Sequence, residues 1–177
     1  MAFSDPKQVL AESGIVDGSM VAEFGAGSGH YAVAAGKLVG ARGRVYAIDI
    51  QKDLLNRLKR EAGAQGVRNV EIVWGDLEAE GGSKLRGGTV DTVILANTLF
   101  QSEHRSSLLE EAKRVLRPGG KLIFIEWSES FGGMGPRSSD VIPEPLAREL
   151  LTRAGFTFER ALRNVGDHHY GLIVKKS

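Results

Sequence analysis

Three glycines at every second position, Gly25, Gly27 and Gly29, follow an apolar run that ends in Phe24. Glycine turns the chain with positive φ and lets bare backbone approach a ligand. Beyond them Tyr31, Ala32, Val33, Ala34 and Leu38 return at helical spacing, so the glycines lie between a buried strand and a helix start. The unpaired N–H groups of a helix start point at whatever lies across the turn. The expected occupant is bulky and polar. An ordinary βα loop can also carry such a triplet, and what argues for a ligand is Asp49. It closes the apolar strand Arg44-Val-Tyr-Ala-Ile-Asp49, at about the interval from Gly29 where a nucleotide-binding βαβ unit places a carboxylate for ribose hydroxyls.

On these residues two cofactor classes compete: a nicotinamide or flavin dinucleotide, and another adenosine-containing cofactor. The dinucleotide fingerprint G-x-G-x-x-G/A needs a third small residue where His30 stands, because the pyrophosphate demands close helix approach. The spacing is G-x-G-x-G instead. With Glu23 two residues ahead of the first glycine, Glu23-Phe-Gly-Ala-Gly-Ser-Gly29 resembles the first motif of the class I S-adenosylmethionine-dependent methyltransferases.

The elements that must position these residues alternate. Asp5 and Pro6 are a cap and first-turn pair for a short helix through Val9, Leu10 and Glu12, stopped at Gly14. A first strand ends at Phe24, and a helix runs from about His30 to Val39. A second strand ends at Asp49, and a helix over Asp53 to Ala64 carries Leu54, Leu55 and Leu58. Val70 to Trp74 reads as a third strand and Glu78 to Gly88 as a surface loop. Asp91 to Ala96 is a fourth strand, apolar as one covered on both faces should be. A helix from Ser102 to Leu116 stops at Arg117-Pro-Gly-Gly120, and Lys121 to Trp127 is a fifth strand. Ser128 to Val141 is a Gly/Ser/Pro loop, long for a βα connection and therefore a candidate functional loop. A helix from about Glu144 to Ala154 precedes two strands, Phe156 to Leu162 and Tyr170 to Lys175. The alternation predicts an α/β, doubly wound, mostly parallel seven-stranded sheet, and the short last connection predicts a terminal antiparallel hairpin.

Composition sets the bounds. At 177 residues the expectation is one domain, 1–177, with residues 1–14 as its N-terminal helix. The formal net charge is +1 with both signs mixed, so no overall field favours nucleic acid or an anionic membrane. There is no cysteine, which excludes disulfides, thiolate zinc sites and cysteine nucleophiles; no metal site is assigned. The segment Met-Ala-Phe-Ser-Asp-Pro has neither a basic n-region nor an apolar h-region, and no apolar run reaches membrane-spanning length. The expectation is a soluble, cytoplasmic protein that could form a homo-oligomer.

The resemblance covers nearly the whole chain and implies the strand order 3-2-1-4-5-7-6 with S-adenosylmethionine as cofactor. Position by position, it implies that Glu23, Phe24, Gly25, Ala26, Gly27 and Gly29 surround the methionine part. It implies that Asp49 holds the ribose hydroxyls, with Ile50 against the adenine. Asp76 matches the contact to the adenine amino group, and Leu77 would offer its backbone N–H to the ring. Asn97 matches the position whose backbone meets the methionine amino group. Arg114-Val-Leu-Arg-Pro-Gly-Gly120 matches the motif before the fifth strand, with a structural role. Within the family the chain is similar to the small-molecule branch typified by ubiquinone and menaquinone biosynthesis C-methyltransferases. Asn97-Thr-Leu-Phe100 stands where an Asn-Pro-Pro-Tyr-like run would mark amino-directed adenine methylation, and the lack of cysteine argues against arsenite as acceptor.

Such an enzyme aligns a nucleophile with a sulfonium methyl, excludes water and removes a proton where needed. A terminal hairpin would turn on the face formed by the strand C-termini, bringing Asp167, His168, His169 and Tyr170 near the site. Neutral His is a suitable base near neutral pH, so His168 and His169 are the catalytic candidates; a turn with one His packed structurally is the competing reading. Glu126 and Trp127 are candidates for the acceptor pocket. The expected partner is a small-molecule acceptor. Two other classes stay open: a nicotinamide-dependent oxidoreductase, and a cofactor-binding partner subunit without methyl transfer.

Overall fold

The computed structural model describes residues 4–177; Met1 to Phe3, the start of the N-terminal segment read above, lie outside the described residues. Helices α1 (Pro6–Ala11), α2 (His30–Val39), α3 (Lys52–Ala64), α4 (Arg105–Val115) and α5 (Glu144–Arg153) alternate with strands. The strands are β1 (Met20–Phe24), β2 (Arg44–Asp49), β3 (Val70–Trp74), β4 (Val90–Ala96), β5 (Leu116–Trp127), β6 (Phe156–Leu162) and β7 (His169–Lys176). They form one sheet in the order β3-β2-β1-β4-β5-β7-β6, as expected. β7 runs antiparallel to both β5 and β6, and the other pairings are parallel.

Successive strand residues point to opposite faces, and both faces are covered. Val21, Ile94 and Ile123 pack on one side with Leu10 of α1, Ala35 of α2 and Leu58 of α3. Ala22, Leu95 and Phe124 pack on the other with Leu109 of α4 and Leu151 of α5. That two-sided burial is why the central strands read as unbroken apolar runs. It also holds the strand ends rigidly, and those ends carry the polar residues of interest.

Several boundaries differ from the sequence reading by a residue or two, α1 is shorter than the segment 1–14 assigned to it, and two further differences are larger. The helix expected from Ser102 begins at Arg105, preceded by a 3-10 turn over Leu99–Gln101 and by Ser102 in extended conformation. The Glu78 carboxylate explains the delay: it accepts the backbone N–H of Glu103 at 3.2 Å and of His104 at 2.7 Å, groups that would otherwise enter a helical turn. β5 begins at Leu116 rather than Lys121. Leu116 pairs with Val90 and Lys121 with Thr92, so Arg117-Pro-Gly-Gly120 bulges out of the ladder.

α1 is capped as its sequence predicts, the Asp5 carboxylate accepting from Lys7 N–H at 3.0 Å with Pro6 in the first turn. It packs on α2, and Ser4 and Pro6 reach the rim of the cavity described next.

Candidate cofactor and acceptor site

A cavity of about 950 Å³ opens at the C-terminal ends of the strands, where open α/β sheets place ligands. Glu23, Gly25, Ala26, Gly27 and Asp49 line it from β1, its turn and the end of β2. Ile50, Asp76, Leu77, Asn97 and His169 complete the set of sequence-assigned residues that it gathers. Phe24, Gly29 and His168 are not on its surface. Phe24 is fully buried in the opposite core layer, because strand alternation turns it away from Glu23.

The three glycines serve different purposes. A Cβ on Gly25 would collide with Thr98, and one on Gly29 with Leu58, so both permit close packing of the turn. A Cβ on Gly27, which has φ +52°, would meet no protein atom within 4 Å and would enter the cavity. Gly27 therefore leaves space for a ligand.

Asp49 is only 7% exposed. Its Oδ2 accepts from Gly27 N–H at 2.9 Å and its Oδ1 from Gln51 N–H at 2.8 Å. These bonds fix the carboxylate while each oxygen retains further acceptor capacity. Glu23 is buried beside it, and its Oε2 has no partner. Burial pushes the Glu23 pKa well above the usual carboxylate range; a bond to the Ala32 backbone opposes this, and the Asp49 charge adds to it.

On the β3 side, Asp76 accepts from Glu78 N–H at 3.0 Å and Leu77 is buried. Ile50 is 56% exposed. Its carbonyl accepts from the Trp74 indole at 2.9 Å, and Lys52 Nζ lies 4.5 Å from the Trp74 ring centroid. This brace was not foreseen; an aromatic at the end of an edge strand was its only signal in the sequence.

On the other side, Asn97 is left-handed with φ +52°. Its N–H donates to the Ile125 carbonyl at 2.9 Å, and its own carbonyl accepts from Gln101 Nε2 at 2.9 Å. The side-chain Oδ1 is buried without a partner, and so is Ser102 Oγ. Sequence reasoning missed Ser102 because it was placed inside a helix.

The last wall is aromatic. Trp127 is 9% exposed, and its ring lies 4.2 Å from that of His169 at 38°. The loop after β5 covers it: a Cβ on Gly135 would come within 2.7 Å of the indole, and Met134 lines the cavity. Both ring nitrogens of His169 are buried without partners, and burial followed by the charge of His168 lowers its pKa. His168 faces the loop instead, its Nδ1 2.7 Å from Glu129 Oε1 and its ring stacked at 3.8 Å on Phe131. Tyr170 also points away, donating to the Ile142 carbonyl at 2.7 Å.

Glu126 does not line the cavity. It is fully buried behind the wall and accepts from Phe100 N–H at 3.2 Å and Trp127 N–H at 3.0 Å. Burial pushes its pKa up to about 7 against the lowering effect of those bonds and of Arg105.

Comparison with known proteins places this geometry in context. The family model described as a methyltransferase domain matches residues 22–124. An arsenite methyltransferase of Aquipseudomonas alcaligenes is 32% identical over 121 residues, covering 66% of this chain and 35% of that protein. The ubiquinone/menaquinone biosynthesis C-methyltransferase UbiE of Marinomonas sp. is 31% identical over 124 residues, covering 70% of this chain and 48% of that protein. The chain thus spans about a third to a half of the length of these two curated relatives. The crystal structure of an S-adenosylmethionine-dependent methyltransferase from Aquifex aeolicus superimposes with TM-score 0.89 at 31% identity, covering 99% of this chain and 91% of that one.

Proposed function

Because the chain belongs to the methyltransferase-domain family of class I S-adenosylmethionine-dependent enzymes, we propose that it transfers a methyl group from S-adenosylmethionine to a small-molecule acceptor. Membership sets aside the nicotinamide reading. The observation that carries the proposal is the pairing of Glu23 and Asp49 around the open space above Gly27. One acid has an unpartnered buried oxygen, and the other is held by backbone bonds with acceptor capacity to spare.

These residues fit the cofactor. Asp49 would accept from the ribose hydroxyls, Ile50 and Leu77 would flank the adenine, and Asp76 would receive its amino group. Glu23 and the Asn97 carbonyl would face the positively charged methionine end, and Gly25, Ala26 and Gly27 would pass beneath it. When bound, the cofactor supplies an electrophilic methyl on a sulfonium. The chain's part is alignment and exclusion of water. Trp127 and Met134 shield the acceptor half, while His169, with both nitrogens unengaged, orients the acceptor or receives its proton. His168 instead ties down the loop through Glu129 and Phe131.

Among the described residues lining the cavity there is no Lys or Arg, which supports a small molecule over a nucleic-acid acceptor. No helix among the described residues is long and apolar enough to cross a membrane. Calorimetry with S-adenosylhomocysteine and with a nicotinamide dinucleotide, followed by turnover on an acceptor panel, tests the reading. Selective binding of the former with product formation supports it. Binding without turnover on any acceptor would favour a cofactor-binding partner subunit, and no binding would overturn both.

A further inference from the structure

Buried polar side-chain atoms normally find partners, so those that lack one point to what is meant to arrive. Glu23 Oε2, Asn97 Oδ1, Ser102 Oγ and both ring nitrogens of His169 are in this condition, and all four residues line the cavity. Elsewhere among the described residues only Asn69 Oδ1 and His168 Nε2 share it.

The four residues divide along the sheet. Glu23 belongs with Asp49, Asp76 and Glu78, the acids that line the cavity from β1, β2 and the segment after β3. Asn97 and Ser102 follow β4, and His169 opens β7. The lining residues that follow β4 and β5 or belong to β7 include no Asp, Glu, Lys or Arg. The charged lining residues thus come from one half of the cavity, with Glu78 reaching across to the Glu103 and His104 N–H groups, and the other half offers neutral hydrogen-bonding groups beside the Trp127 ring.

We propose that this second half receives an uncharged acceptor, which exchanges hydrogen bonds with Ser102, Asn97 and His169 beside Trp127, and that it rejects anionic acceptors. The proposal rests on the reading above, which gives the acidic half to the cofactor. An anion here would lose its water, find no cation and face the acids opposite. The exclusion is of anions: Glu78, whose oxygens accept from Glu103 and His104 N–H, keeps its charge and acceptor capacity at the edge of this half, while the oxygens of Glu126 are sealed behind the wall by Phe100 and Trp127 N–H. His169, neutral because it is buried, offers one donor and one acceptor.

The test uses protein saturated with S-adenosylhomocysteine and two aromatic probes of similar size, 3-hydroxybenzamide and 3-hydroxybenzoate. Ligand-observed NMR detects binding into the millimolar range. The amide is expected to bind at least about tenfold more tightly than the benzoate, and Ser102→Ala to weaken it by about 2- to 12-fold, the worth of one neutral hydrogen bond. S-adenosylhomocysteine affinity should be unchanged in that variant. Benzoate binding as well as the amide, no detectable amide binding, or an amide affinity unaffected by Ser102→Ala would overturn the inference and leave the cofactor reading standing. Failure of S-adenosylhomocysteine to bind would overturn the cofactor reading and this inference with it.

Discussion

Glu23 and Asp49 face one cavity from adjacent strands, and the charge of Asp49 helps keep Glu23 above the usual carboxylate range. A cation brought between them should reverse that shift. Binding of S-adenosylmethionine is therefore expected to lower the Glu23 pKa, to release a proton at those pH values where Glu23 is protonated in the free protein, and to strengthen as pH rises through that range. Calorimetry in buffers of different ionisation enthalpy reads the release as a slope in apparent binding enthalpy. Glu23→Gln should flatten that slope; an unchanged slope would place the proton elsewhere.

Asp49→Ala should lose charge-assisted hydrogen bonds to the ribose, costing about 1.5–3 kcal/mol, or roughly 10- to 150-fold in S-adenosylhomocysteine affinity. Circular dichroism would establish that the variant folds. Unchanged affinity in a folded variant would remove Asp49 from the site.

The glycines make a sharper pair. Gly27→Val should abolish cofactor binding because its side chain enters the cavity, at a smaller cost in stability than Gly29→Val, since both strain a positive φ but only the latter also meets a side chain. Gly29→Val should act on stability, since it strains a φ of +83° and drives a branched side chain into Leu58; the expected loss is at least about 1–3 kcal/mol. Denaturant melts and calorimetry on both variants check this. A stable Gly29→Val protein with selectively lost binding would contradict the division of labour.

Glu126 gives a pH dependence of known sign. Its folded pKa of about 7 lies above the ordinary 4.5, so its contribution to stability is fully present below 4.5 and is lost as pH rises through about 7. The loss is of order 3 kcal/mol by pH 8. Glu126→Gln cannot ionise, so the difference in melting temperature between variant and parent should shift in the variant's favour from pH 5 to 8. A difference independent of pH would mean that Glu126 titrates normally.

Replacing the histidines separately tests which one serves the reaction. His169→Ala should lower turnover by about 10²- to 10⁴-fold with cofactor affinity nearly intact. His168→Ala, which frees Glu129 and Phe131, should leave the rate within about tenfold. The reverse ranking, from steady-state rates on one verified acceptor, would move the catalytic role to His168.

That Glu23, Gly27 and Asp49 line one cavity was legible because the determinants are local. A strand end, a glycine turn and an acid closing the next strand have fixed spacing, which located Glu23, Gly27 and Asp49 before any tertiary contact was known. Phe24 could have been set aside by strand alternation alone. The acceptor half depends on contacts across long stretches of chain. Ser102 is freed from a helix by Glu78, and adjacent His168 and His169 differ only in which neighbours, Glu129 and Phe131 or Trp127, they meet. Spacing carries neither fact.

The most direct measurement follows the methyl itself. With S-adenosylmethionine labelled on the methyl carbon and a panel of neutral, anionic and cationic acceptors, label should move into an uncharged acceptor with stoichiometric S-adenosylhomocysteine, and Gly27→Val should abolish the transfer. Tight S-adenosylmethionine binding with no label transferred to any acceptor, or equal transfer by parent and Gly27→Val, would contradict methyl transfer at this site.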